Sequence, residues 1–144
     1  MPVKGQHHRL GRIHLPIPIV AIFAMMLIFV AVANAQTRLT DVSDPDNGGA
    51  LQLKKGDDLQ LRLKSTPGTG YSWQIDQIDK TMLIQQGAPI FVPPPKQIPG
   101  AEGHTVWHFL AAAPGRSELD LEYIRPWEKN AAPARTFKLL VSIK

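Results

Sequence analysis

From residue 51 onward the chain places apolar side chains at every second position, and this period of two confines it to strands. Leu59, Leu61 and Leu63 fall on one side, while Asp58, Gln60, Arg62 and Lys64 fall on the other. Tyr71, Trp73 and Ile75 repeat the alternation, and Leu119, Leu121 and Tyr123 alternate with Glu118, Asp120 and Glu122. Phe137, Leu139, Val141 and Ile143 close the chain in the same way. Successive side chains of a strand point to opposite faces, so each segment is apolar toward a core and polar toward water. Two further β-prone stretches, 84–92 and 105–111, lie between them, and no window after residue 36 has a helical period.

Counting residues 51–53 as the first, about seven short strands occupy about 100 residues, with turn signals at Lys55-Gly56-Asp57 and Pro114-Gly115. This predicts an all-β chain, an immunoglobulin-like antiparallel β-sandwich over residues 51–144. The chain has no cysteine. That excludes a disulfide scaffold, a thiolate zinc site and a cysteine nucleophile. The sandwich must therefore be held by its core alone, with Trp73 as the natural core aromatic.

The formal charge of +4 suggests nucleic acid until its location is considered. Lys4, Arg9 and Arg12 precede an apolar run from residue 15 to residue 33, which ends in Ala33-Asn34-Ala35. A basic leader, an apolar stretch and small residues at a cleavage site predict a signal peptide over residues 1–35, removed after Ala35. The run approaches the length of a membrane span, which leaves an uncleaved anchor as the other reading. Removing the leader takes three of the 16 basic residues and none of the 12 acidic ones, leaving 13 against 12. The case for nucleic acid goes with it, because such binding needs clustered Lys and Arg. The expected location is the periplasm or the medium.

Residues 36–50 are polar. Asp44-Pro45-Asp46-Asn47-Gly48-Gly49 lies at their centre, and Asn47-Gly48 predicts a hairpin. The carboxylates there lack the alternating spacing and closing glutamate of a calcium loop.

Three connections stand out chemically, and antiparallel topology gathers them at one end of the sandwich. The first, between the second and third predicted strands, reads Thr66-Pro67-Gly68-Thr69-Gly70-Tyr71. The second runs from Pro93-Pro94-Pro95 through Gly100-Ala101-Glu102-Gly103, and the third opens with Arg125-Pro126-Trp127. An exposed Trp beside an Arg has the composition of a binding hot spot. The competing reading folds Trp127 back to cap the sandwich end.

These three segments, in this order, resemble the chagasin family of inhibitors of papain-like cysteine proteases. That family carries an Asn-Pro-Thr-Thr-Gly-aromatic loop, a Gly-x-Gly-Gly loop and an Arg-Pro-aromatic loop. Here Thr66 replaces Asn, Gly68 replaces Thr and Glu102 replaces a glycine, while Arg125-Pro126-Trp127 matches fully. The flanks Leu53-Lys54-Lys55-Gly56-Asp57 and Tyr71-Ser72-Trp73 also look typical of the family. The resemblance spans residue 50 to the end. It implies a monomeric, non-covalent 1:1 inhibitor that needs no cofactor and plugs the protease cleft with the three loops. The first would lie over the catalytic cysteine and the other two against the cleft walls. The protease-binding residues would then be Thr66, Pro67, Gly68, Thr69, Gly70, Tyr71, Gly100, Ala101, Glu102, Gly103, Arg125, Pro126 and Trp127. If the second loop kept the family's docking, Glu102 would strain it or face a basic group on the protease.

An enzyme finds no motif in this sequence. His104 and His108 are the two histidines after the leader. Four residues apart in a strand, they share a face but stand about 13 Å from one another, too far for one metal. A second alternative is an immunoglobulin-like module for a non-protease envelope protein or a glycan, since loop ends of sandwiches serve many partners.

Overall fold

The structure, a computed structural model, describes residues 36–96 and 98–144. The signal peptide expected over residues 1–35 lies outside the described residues. Residues 36–144 form one compact unit. Its strands are β1 (Leu39–Ser43), β2 (Gly49–Leu53), β3 (Asp58–Ser65), β4 (Ser72–Gln77), β5 (Leu83–Gln85), β6 (Ile90–Val92), β7 (Gly103–Ala111), β8 (Gly115–Ile124) and β9 (Arg135–Ile143). One sheet runs β1-β3-β7-β5, with β6 also paired to β7, and the other runs β2-β9-β8-β4. The alternating residues face each other across the gap. Leu59, Leu61, Leu63, Trp107 and Phe109 meet Trp73, Leu119, Leu121, Tyr123, Phe137, Leu139 and Val141 in one buried cluster.

The all-β sandwich expected from the sequence is present, with three differences of detail. Among the described residues nine strands form, because Leu39–Ser43 adds one and the stretch 84–92 makes two. That stretch breaks at Gly87, whose φ is +77°, and at Pro89, so β5 and β6 pair with β7 separately. The sheets are also mixed, since β1 runs parallel to β3 and β2 parallel to β9.

The third difference corrects the hairpin expected within residues 36–50. The strands flanking Asn47-Gly48 belong to different sheets, so the segment crosses over the side of the sandwich. Its turn is a short 3₁₀ piece, Asp44–Asp46. The Asp46 carboxylate accepts the Ser43 N–H at 2.8 Å, and that of Asp44 accepts the Lys64 N–H at 3.1 Å. Both acids are thus committed to backbone. The Asn47 amide then continues the parallel ladder of β2 on β9. Its Nδ2 donates to the Thr136 carbonyl at 3.0 Å, its Oδ1 accepts the Lys138 N–H at 2.8 Å, and the Gly48 N–H donates to the Lys138 carbonyl at 2.8 Å.

Asn47→Ala removes two of these bonds from a strand held on one side. Urea unfolding should show a loss of about 1–2 kcal/mol, with the slope against urea unchanged.

Candidate functional site

The first loop leaves β3 at Ser65 and enters β4 at Ser72. Pro67 fixes φ at the start of a 3₁₀ turn over Pro67–Thr69. The Thr69 N–H donates to the Thr66 carbonyl at 3.0 Å, the Thr69 hydroxyl donates to the same oxygen at 2.6 Å, and the Gly70 N–H reaches the Pro67 carbonyl at 2.9 Å. Gly70 then takes a left-handed φ of +81°, which suits glycine. At the tip, a Cβ on Gly68 would meet nothing within 4 Å. The tip is therefore bare, uncharged and internally hydrogen-bonded.

The third loop packs beside it, because Ser72 of β4 pairs with Ile124 of β8. Arg125 lies across the first loop. Its Nε donates to the Thr69 carbonyl at 3.2 Å, and its guanidinium carbon stands 4.4 Å from the Tyr71 ring centroid. Its Nη1 binds the Glu128 carboxylate at 3.0 Å, which pushes its already high pKa further up. Trp127 is 65% exposed. The far edge of its ring rests on Gly70, where an added Cβ would overlap Cη2 and come within 2.9 Å of Cζ2. The indole therefore stands out beside the first loop and does not cap the sandwich.

The second loop descends from β6 through Pro93–Pro95 and turns at Pro99-Gly100. The Ala101 N–H donates to the Ile98 carbonyl at 3.0 Å, and Gly100 has φ +76°, the conformation a type II turn requires of its third residue. Gly103 is buried and is already the first residue of β7, paired with Ser65. All three loops thus gather at one end, as the topology predicted.

Residues 52–141 match the family described as chagasin family peptidase inhibitor I42. The chain belongs to the chagasin family of peptidase inhibitors. It is 28% identical to chagasin of Trypanosoma cruzi over 91 residues, covering 60% of this chain and 81% of that one. Amoebiasin-2 of Entamoeba histolytica is 25% identical over 103 residues, covering 72% and 84%. Among solved structures, the cysteine protease inhibitor EhICP2 of Entamoeba histolytica superposes with a TM-score of 0.69 at 21% identity, over 76% of this chain and 98% of that one. Members of this family inhibit peptidases and are not enzymes.

Glu102, which the sequence reading has in place of a glycine, has partners within its own chain. Asn130 is the one non-glycine residue with positive φ among the described residues, so the backbone at Glu102 is unstrained. Its carboxylate faces cations of its own chain, Lys64 Nζ at 3.8 Å and Arg135 Nη1 at 3.7 Å. Sequence reasoning missed Lys64, Tyr123 and Arg135, which hold the roots of the loops. The Thr66 N–H donates to the Tyr123 hydroxyl at 2.8 Å, and Arg135 Nη2 donates to the Lys64 carbonyl at 2.9 Å. Lys64 and Tyr123 read in sequence as an ordinary outward and inward strand residue, and no motif marks Arg135. His104 and His108 lie on β7 opposite Lys64 and Gln60. Among the described residues no three His, Asp or Glu side chains converge on a metal position.

Gly70→Ala places a Cβ in the left-handed region and under the indole. It should lower stability by about 1–2 kcal/mol and displace Trp127. Trp73 and Trp107 are buried, so the displacement will register as a change in the red-shifted part of the tryptophan emission.

Proposed function

We propose that the mature chain, residues 36–144, is a reversible, non-covalent 1:1 inhibitor of papain-like cysteine proteases, exported by its leader and cleaved after Ala35. The three loops fill the protease cleft, the first over the catalytic cysteine and the other two against the walls. Family membership supports the reading, as do two structural neighbours. One is named a cysteine protease inhibitor. The other, PbICP-C, was solved in complex with falcipain-2 and superposes on this chain with a TM-score of 0.50 at 17% identity, over 76% of this chain and 92% of that one.

The observation that carries the proposal is the bare tip of the first loop, braced by Arg125 and flanked by an exposed Trp127. A tip with no side chain at Gly68 lets its backbone approach another backbone closely. The 3₁₀ hydrogen bonds explain why such a tip blocks without being cut. Nucleophilic attack needs a carbonyl aligned at about 3–3.5 Å from the sulfur. A coiled turn offers no extended segment to align. Trp127 adds a large rigid surface beside the tip with few torsions to freeze.

Titrating papain with residues 36–144 should give stoichiometric inhibition, with both proteins recovered intact by mass spectrometry. Trp127→Ala should weaken inhibition by about 2 kcal/mol or more, roughly thirtyfold, while the melting temperature moves little. A thermal loss matching about 3 kcal/mol would instead make the ring a core residue. Absence of inhibition of any papain-like enzyme at micromolar concentration refutes the proposal and leaves the non-protease binding module as the alternative.

A further inference from the structure

The three loops leave the sandwich separately, yet one side chain reaches the roots of all three. Arg135 is the first residue of β9 and so ends the third loop. Its Nη2 donates at 2.9 Å to the carbonyl of Lys64, two residues before the first loop begins. The same carbonyl accepts the Trp73 indole N–H at 3.0 Å. Its Nη1 faces the Glu102 carboxylate, the last residue of the second loop, at 3.7 Å. Its guanidinium carbon lies over the Tyr123 ring, 4.2 Å from the centroid, and 5.4 Å from the centroid of Trp73. Tyr123 stacks on Tyr71 at 5.3 Å, and the Tyr71 ring also carries the Arg125 guanidinium. The loop end therefore contains a column, Arg125–Tyr71–Tyr123–Arg135, with a cation at each end.

We propose that Arg135 is the positioning residue of the inhibitor, fixing the three loops in a single arrangement before the protease arrives, with Glu102 as the latch that ties the second loop to it. This rests on the reading of the loops as the protease contact. The chemistry suits arginine. A planar guanidinium can stack on a ring and still donate in its own plane toward two acceptors, whereas an ammonium on a flexible stem cannot do both. It also gives the glutamate at position 102 a purpose. A glycine would leave that stretch of backbone free, and the carboxylate here holds it through charge to β3 and β9, one strand of each sheet.

The test compares Arg135→Ala, Arg135→Lys, Glu102→Gln and the double variant Arg135→Ala/Glu102→Gln. Two quantities are read: dissociation from papain, and amide hydrogen exchange of residues 66–71 and 98–103 in the free inhibitor. Arg135→Ala should speed dissociation about tenfold and raise exchange in both segments. Arg135→Lys should fall between it and wild type. Glu102→Gln should speed dissociation about two- to fivefold, and raising the salt should erase the difference. The double variant should dissociate within about twofold of Arg135→Ala, because the carboxylate acts largely through the guanidinium. Independent additive effects, an exchange change in one loop alone, or a lowered melting temperature with unchanged dissociation would each overturn the proposal. If Arg135→Ala does not fold, Arg135→Lys and Glu102→Gln decide it by the same measurements. If the wild type fails to bind papain, the proposed function falls, and the exchange measurements still judge the positioning role.

Discussion

The seam where the inner ends of β3, β4 and β8 meet sets the geometry of everything above it. With no disulfide available, the chain connections apart, the two sheets are held together by side chains, and at this seam the joining groups are aromatic. Trp73 and Tyr123 are each buried and pack 5.0 Å apart. Both also carry a polar atom, which meets the end of β3 in the opposite sheet or the residue just after it. The indole N–H reaches the Lys64 carbonyl and the phenol oxygen receives the Thr66 N–H. Leucine at either position would keep the site apolar but leave a cavity and deprive a backbone group at the start of the first loop of its partner. Buried aromatic residues with a polar tip are the residue types able to pack a core and anchor a loop at once.

Electrostatics at this end are local. Arg125 is neutralised by Glu128, and Lys64 and Arg135 both face Glu102. The pairs around Glu102 are half-exposed and longer than a good hydrogen bond, so each adds little to folding stability. Their value lies in direction. A carboxylate between a cation on β3 and one on β9, in opposite sheets, is biased toward one position, and the loop ending in that carboxylate is placed accordingly. The first loop keeps no charge at its tip, so insertion into a cleft would desolvate backbone and hydroxyl groups and no ion.

The strands were legible because most are half-buried, and a half-buried strand writes its two faces into alternate residues. β3 and β9 are examples. β1 was not legible, because its two apolar residues, Leu39 and Val42, stand three apart and break a period of two, and Val42 alone is buried. The supposed hairpin failed for a different reason. Asn-Gly is a local signal, but the amide of Asn47 is satisfied by Thr136, 89 residues away, and that pairing sends the chain to the other sheet. At the loop end, the positions recognisable in sequence were glycines, prolines and an aromatic, types whose backbone or surface properties are intrinsic. Arg135 is important only through what surrounds it. Its partners lie 33 positions back at Glu102 and 71 back at Lys64, so no window of sequence contains them together.

A loop rich in glycine raises a thermodynamic difficulty that this arrangement answers. Glycine allows the close approach and the left-handed turn, but it also gives the unbound loop many conformations. Ordering a residue's backbone costs about 1–2 kcal/mol, and a free loop of six residues would charge that against the partner's affinity. Here the ordering occurs when the chain folds. The turn closes on its own hydrogen bonds at Thr69 and Gly70, the Trp127 ring covers Gly70, and Arg125 holds the Thr69 carbonyl. The cost is thereby transferred from binding to folding, where the hydrophobic core offsets it. Rigidity supplied by neighbours, with the tip itself left bare, is how one loop can be both pre-organised and small enough to enter a cleft.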